Sequence, residues 1–362
     1  MKKEVIIFMP SIEGGGVEKN LFLVSNYLAK RIKSLKVITI SKKFKKKFNK
    51  SVKIISLESN IWDDFSRRVK YFLSIILLIN EILKNKNIVV MSFQANIYCI
   101  LICKLFSIKV ISRSNSAPIG WSKNLFKKKI FEIGLRLADK IIVNSIEFKR
   151  DLKKEFNINA TCIYNPLNKN EILDKSKKKS AKIFKSNKKL RILNIGRFTD
   201  QKDQLTLLKS LNNLKNDILF EACIVGRGML KKKLQKYISN NNLNKYVKII
   251  NFVDNPYPLI KQTNLFVLSS KFEGLPNVLL ESLVLKKFII SSDCRTGPKE
   301  ILLNGKGGFL FNVGDHKMLE KKIKYFHLNK IKCQKMMMNS YKSLKRFDYN
   351  KNLKMYLDLF KS

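Results

Sequence analysis

Leu190-Arg191-Ile192-Leu193-Asn194-Ile195-Gly196-Arg197-Phe198-Thr199-Asp200-Gln201-Lys202 is the stretch on which the architecture turns. Its first six residues, mostly apolar, read as a buried strand. A glycine and two cations follow, and a helical pattern over Gln204 to Leu214 comes next. Strand, polar loop and helix form the unit from which parallel sheets are wound, because parallel neighbours need a long crossover. The stretch follows a break, Asn168 to Lys189, rich in Lys, Asn and Ser and poor in apolar periodicity. The alternation of strand and helix therefore starts twice in one chain.

Before the break, Val5 to Met9, Lys36 to Ile40, Val52 to Leu57, Ile88 to Ser92, Val110 to Ser112 and Ile141 to Asn144 read as strands. Helical patterns at Val17 to Arg31, Phe65 to Leu83, Ala95 to Phe106, Lys123 to Leu137 and Ser145 to Phe156 separate them. After it come strands at Phe220 to Val225, Val247 to Ile250, Leu265 to Leu268 and Phe288 to Ser291. Helices at Met229 to Asn240, Pro276 to Leu285 and His316 to Phe326 accompany them. The fold class is α/β, with two Rossmann-like domains. A length of 362 residues suits two cores better than one. We place the first domain at residues 1–167, a linker at 168–189, the second domain at 190–335 and a C-terminal helix at 336–362. Open parallel sheets take ligands at the carboxyl ends of their strands, so two facing domains create a cleft.

With 45% apolar and 28% charged residues the chain can bury real cores. The formal charge of +46 is the footprint expected of a nucleic-acid binder. These lysines, however, run along the whole chain in company with Asn and Ile, the bias of an A+T-rich genome, so no nucleic-acid partner is expected. What remains is attraction to anionic lipid headgroups and phosphorylated substrates. The six cysteines form no CxxC pair and no ligand-spaced cluster with the two histidines, which suits reduced cytosolic thiols. Val5 to Met9 is too short for a signal-peptide core, and the apolar runs fall short of the roughly 20 residues a spanning helix needs. Trp121 to Leu137 mixes Trp121, Leu125, Phe126, Ile130 and Phe131 with Lys123 and Lys127 to Lys129, the composition of an interfacial basic helix. Core packing of the apolar stripe with a wet lysine face accounts for it slightly better.

Three stretches carry chemistry. Gly14-Gly15-Gly16 lies between the first strand and the first helix, where backbone amides can approach a phosphate. Arg197 and Lys202 stand just past the strand that opens the second domain. Fixed cations there stabilise a departing diphosphate without a metal, and no DxD triad occurs in the sequence. Ser270-Lys271-Phe272-Glu273-Gly274-Leu275-Pro276-Asn277-Val278-Leu279-Leu280-Glu281 ends a strand and enters a helix, with Pro276 suited to the first turn. Glu281 then lies about 7.5 Å along the axis at 1.5 Å per residue. That separation suits an extended, hydroxyl-rich ligand: Glu273 near a sugar and Glu281 accepting both ribose hydroxyls. The competing account of Glu281 is a salt bridge to a lysine, and of Arg197 or Lys202 singly a surface ion pair.

Taken together the sequence resembles the retaining glycosyltransferases of family 4, which have the GT-B fold. The resemblance rests on Gly14-Gly15-Gly16, Asn165-Pro166, Gly196-Arg197 with Lys202, Val225-Gly226-Arg227-Gly228, Glu273-Gly274-Leu275-Pro276-Asn277 with Glu281, and Gly297-Pro298 with Glu300. It implies catalytic roles for Arg197, Lys202 and Glu273. It also implies donor contacts at Gly15, Gly16, Gly196, Gly226, Gly274, Leu275, Pro276, Asn277 and Glu281, with Asn251, Phe252 and Val253 as the base-binding segment. The last helix would cross back to the first domain. Many members carry a histidine in the first-domain cleft, whereas here the run is Ser112-Arg113-Ser114-Asn115, and His316 and His327 come late. Arg113 and Asn115 are therefore the candidates for sugar or acceptor contact, against a loop-structuring role.

The expectation is a cytosolic, metal-independent enzyme without a cofactor, peripheral on the inner membrane face. It would move a sugar from a nucleotide-sugar donor, a UDP-sugar by prior, to a lipid-linked saccharide acceptor with retained configuration. Rivals are a nucleotide-sugar epimerase or phosphorylase on the same fold, a catalytically silent donor-binding subunit, and a nucleic-acid binder.

Overall fold

The computed structural model describes residues 3–115 and 125–361. The chain divides into two units, one of residues 1–166 with 349–362 and one of residues 167–348. The expected linker is not a linker: it lies within the second unit.

In the first unit a sheet of seven parallel strands runs in the order β3-β2-β1-β4-β5-β6-β7. The strands are β1 (Glu4–Phe8), β2 (Leu35–Ile38), β3 (Val52–Ile55), β4 (Ile88–Ser92), β5 (Lys109–Arg113), β6 (Lys140–Val143) and β7 (Thr161–Cys162). The crossovers are α1 (Gly16–Ala29), α2 (Arg67–Lys84), α3 (Asn96–Leu105), α4 (Leu125–Arg136) and α5 (Ile146–Phe156). Strand side chains alternate between faces, and β1 shows the consequence. Val5 and Ile7 enter one core with Leu21, Val24 and Leu28 of α1, while Ile6 and Phe8 enter the other with Leu78 and Ile82 of α2. Both faces are covered, so the strands read as apolar runs rather than as alternating ones.

The second unit repeats the plan with six parallel strands in the order β10-β9-β8-β11-β12-β13. These are β8 (Leu190–Ile195), β9 (Phe220–Gly226), β10 (Val247–Asn251), β11 (Leu265–Leu268), β12 (Phe288–Ser292) and β13 (Phe309–Phe311). Its helices are α6 (Lys169–Ser176), α7 (Gln204–Leu214), α8 (Lys231–Asn240), α9 (Tyr257–Gln262), α10 (Asn277–Val284), α11 (Pro298–Ile301), α12 (His316–Leu328) and α13 (Lys330–Ser343). The helix α6 falls inside the stretch read as a linker. Asn168 caps it by accepting from the Glu171 amide at 3.1 Å, and Ile172 is buried as it packs on α9 and α10. Ile183 and Phe184 further on are buried as well. With two buried positions in eight residues, α6 shows almost no apolar period, and its legible signal is the Asn-x-x-Glu cap.

The tail is not one helix from 336. After α13 a short 3-10 turn at Leu344–Phe347 closes the second unit, where Leu167 donates to the Phe347 carbonyl at 2.9 Å. The helix α14 (Tyr349–Asp358) then joins the first unit, burying Leu353 and Tyr356 against α1.

Candidate functional site

The second sheet reverses direction at β8, its first strand in sequence, with β9 on one side and β11 on the other. Ligands of open parallel sheets bind outside the carboxyl ends at such a switch point. The loops that leave β8, β11 and β12 there hold most of the residues singled out from the sequence.

The first loop is fixed through its backbone. The Gly196 amide donates to the Val225 carbonyl at 3.0 Å, and the Phe198 amide donates to the Arg227 carbonyl at 2.8 Å. Gly226 lies so close that a Cβ there would run into the Gly196 carbonyl. Phe198 is fully buried beneath, and Gln204 Nε2 donates to the Arg197 carbonyl at 3.0 Å. A rigid backbone thus presents the Arg197 side chain to solvent.

Lys202 ends a 3-10 turn, and its Nζ lies 2.5 Å from Glu273 Oε1. The Ser270 hydroxyl donates to that same oxygen at 2.6 Å. Thr296 Oγ1 donates to the Glu273 carbonyl at 2.7 Å, and Ser292 Oγ donates to the Ser270 carbonyl at 2.6 Å. A buried carboxylate needs such partners, since an unpaired one is costly. The network ties together the carboxyl ends of three adjacent strands, β8, β11 and β12. The Cys294 thiol next to it is pushed up to about 12, first by burial and then by the negative charge of Glu273. Ser270, Ser292 and Thr296 had no role assigned from the sequence, because nothing local marks a hydroxyl that serves a carboxylate from another strand.

Gly274, Leu275 and Pro276 are buried in the connection to α10, and Asn277 opens the helix. Pro276 sits at the N-cap, just ahead of the first turn in which it was expected. Gly297, at φ +85°, lies against the Gly274 carbonyl and leaves no space for a side chain. Glu281 is buried on α10, with the Tyr257 hydroxyl donating to it at 3.5 Å. Phe252 and Val253 follow β10, and the Phe252 ring lies 4.6 Å from the Arg227 guanidinium, a cation–π contact. Arg227 was quoted as part of a motif but given no task.

The remaining candidates belong to the first unit. Gly15 caps α1, and Gly16 begins it. The anionic group beside that turn is the protein's own: a Cβ on Gly15 would stand 2.8 Å from a Glu18 carboxylate oxygen, and Glu18 Oε1 accepts from the Glu13 amide at 3.3 Å. Arg113 departs from expectation. It is 0% exposed, donates from Nε to the Tyr356 hydroxyl at 2.7 Å and from Nη2 to Asn165 Oδ1 at 2.8 Å, and stacks 5.0 Å from the Phe93 ring. Those contacts make it a strut between β5, the end of the first segment and α14, not a side chain offered to a sugar. Asn115 is half-buried and donates to the Phe93 carbonyl at 2.8 Å. Trp121, Lys123 and the side chains of 125–127 lie outside the described residues.

Residues 175–343, nearly the whole of the second unit, match the family described as Glycosyl transferases group 1. Over these residues the chain is similar to that family. An uncharacterized glycosyltransferase of Methanocaldococcus jannaschii is 35% identical over 222 residues, 56% of this chain and 53% of the relative. An N-acetylgalactosamine-N,N'-diacetylbacillosaminyl-diphospho-undecaprenol 4-alpha-N-acetylgalactosaminyltransferase of Campylobacter jejuni is 28% identical over 237 residues, covering 63% of each. The chain thus spans between half and two thirds of the length of these relatives. Over its full length it is similar in fold to Anabaena HepE, solved in complex with UDP-glucose: TM-score 0.78, 15% identity, 99% of each chain covered. The fold is GT-B.

Proposed function

We propose that this protein is a glycosyltransferase that moves a sugar from a UDP-sugar to a lipid-linked saccharide in cell-surface glycan synthesis, retaining the anomeric configuration. The observation that carries it is the Lys202–Glu273 pair at the carboxyl ends of β8 and β11, with exposed Arg197 on the same loop as Lys202. Support comes from the group 1 match over these loops, from UDP-glucose in the Anabaena neighbour and from the lipid-diphosphate substrate in the Campylobacter relative's name.

In this reading Arg197 and Lys202 neutralise the charge that develops on the leaving diphosphate. Two cations in place beforehand do the work a divalent metal does elsewhere, so we propose a metal-independent reaction without cofactor. Both hydrogen bonds to Glu273 converge on Oε1, so Oε2 is the oxygen we assign to the sugar hydroxyls. Glu281 takes the ribose, Gly196 and Gly226 approach the donor by backbone, and Phe252 with Val253 borders the base. The bond from C1 to the β-phosphate oxygen breaks as the acceptor oxygen attacks the same face, and that phosphate oxygen receives the acceptor proton.

The test is purified protein with labelled UDP-sugars and a polyprenyl-diphosphate saccharide, read by NMR at the new anomeric centre. Retained configuration, undiminished by chelator, is expected. An inverted product ends the retaining assignment, and a donor altered without acceptor favours epimerisation. Donor binding without any turnover leaves a binding subunit.

A further inference from the structure

Three neighbouring helices of the first unit carry two apolar stripes each, and only one of the two has a sheet to cover. Inward, Leu78 and Ile82 of α2, Ile97, Ile100 and Cys103 of α3 and Leu135 of α4 share one core with Ile6 and Phe8. Outward, α2 exposes Phe72, Ile76 and Leu83, with Phe65 just ahead of it. The helix α3 exposes Tyr98, Leu101 and Leu105, and α4 exposes Ile130 and Ile133, with Leu137 just past its end. Spacings of three, four and seven keep each set on one helix face at about 100° per residue. The helix α3 packs against both others, and Gly134 lets α4 approach Ile97 closely. The three stripes are therefore side by side on an outer surface. Leu105 is 77% exposed and Phe72 is 65% exposed, values a helix in water normally reserves for polar residues.

Single exposed apolar residues need no explanation, but a contiguous set of this size marks an interaction surface. The charges around it choose the occupant. Arg68, Lys84, Lys129 and Arg136 are exposed on the same helices. Their two carboxylates are already engaged: Glu81 with Lys36 and Lys84, and Glu132 with Lys129 and Arg136. The helix α3 has no acidic residue. A second copy docking through the same face would set base against base, whereas an anionic headgroup layer over an acyl boundary matches both the charge and the apolar stripe.

We infer that the outer face of α2, α3 and α4 docks this protein onto an anionic lipid bilayer, with Phe72, Leu101, Leu105 and Ile133 at the acyl boundary and the basic residues among the headgroups. This does not rest on the transfer reaction and is read without donor.

Flotation of the full chain with vesicles tests it. Phosphatidylcholine vesicles containing phosphatidylglycerol should carry the protein upward, and pure phosphatidylcholine should carry little. Replacing Phe72, Leu101, Leu105 and Ile133 by Ser should cut partitioning about tenfold or more, and Arg68→Glu with Lys129→Glu should do likewise by reversing charge. Leu105→Ser alone, at a site too exposed to support the core, should lower it measurably with an unchanged melting temperature. Leu219→Ser with Leu328→Ser, exposed apolar sites of the second unit, should change nothing. The inference falls if the wild-type chain ignores anionic vesicles, if the quadruple variant floats like wild type, or if the second-unit pair loses as much. It also falls if light scattering shows a dimer that the quadruple variant dissolves.

Discussion

The two sheets share a strand order through their first six strands, yet they put opposite uses on the groups at their carboxyl ends. In the second unit the loop after the first strand exposes Arg197 and aims Lys202 at Glu273. In the first unit the corresponding turn carries a carboxylate, Glu18, and the arginine at the end of β5 is sealed in by Tyr356 and Asn165. Winding order decides where loops emerge and nothing about what they do. An arginine past a strand end is exposed, and by our proposal a ligand contact, in one unit and a buried strut in the other.

The comparison is broken most directly by exchanging effects between the two arginines. Arg197→Ala should lower transfer by about 10²–10³-fold, the size seen when one preorganised charge-stabilising group is lost, with little change in melting temperature. Arg113→Met should do the reverse. It deletes a buried hydrogen-bonded hub and leaves Asn165 and Tyr356 with lost partners, at a cost of about 2–4 kcal/mol of stability by thermal or urea unfolding. Tyr356→Phe should cost about 1 kcal/mol, the usual worth of one hydrogen bond. If Arg113→Met unfolds at the wild-type temperature but loses turnover, Arg113 is a substrate contact and the contrast between the units disappears.

Gly226→Ala sharpens the same contrast at smaller scale. A methyl group there would collide with the Gly196 carbonyl, so the β8 loop must move and Arg197 with it. Strain of this kind costs about 1–3 kcal/mol, and it should appear both as a lower melting temperature and as weaker nucleotide-sugar binding by calorimetry. Unchanged binding would show that the loop's position does not govern Arg197.

Parts of this were legible in the sequence because they are local. The strand Leu190–Ile195 and the helix Gln204–Leu214 stand where the apolar run and the helical pattern put them, separated by Gly196 and Asp203. The short pieces were not: β7 has two residues, β13 has three and α6 buries two of eight, too few to establish a period. Lys202, Glu273 and Glu281 were identifiable as candidates from residue type and from the family resemblance. The fate of Arg113 was not, since its partner Tyr356 is 243 positions away and arrives only when the tail leaves the second unit for the first.

The smallest effect concerns the opposite, amino end of the second sheet's strands, where cations gather without a task. Lys287 just before β12, Arg191 near the start of β8 and Lys261 of α9 are neighbours there. Burial first, and then the charges of Arg191 and Lys261, lower the Lys287 amine from 10.5 to about 8. The sign follows from proton counts. Between about 8 and 10.5 the unfolded chain keeps a proton on Lys287 that the native protein has released, so stability from this group rises with pH across that window. Below it both states are charged and the native one carries a constant penalty. Lys287→Met removes that penalty and also the 2.8 Å bond from Nζ to the Lys261 carbonyl. Near neutrality the net gain should be about 1–2 kcal/mol, and the rise of melting temperature above pH 8 should flatten relative to wild type. A variant that melts lower at neutral pH and keeps the wild-type slope would show that Lys287 is solvated in the native protein. The amino-end cations would then differ from Arg197 only in location.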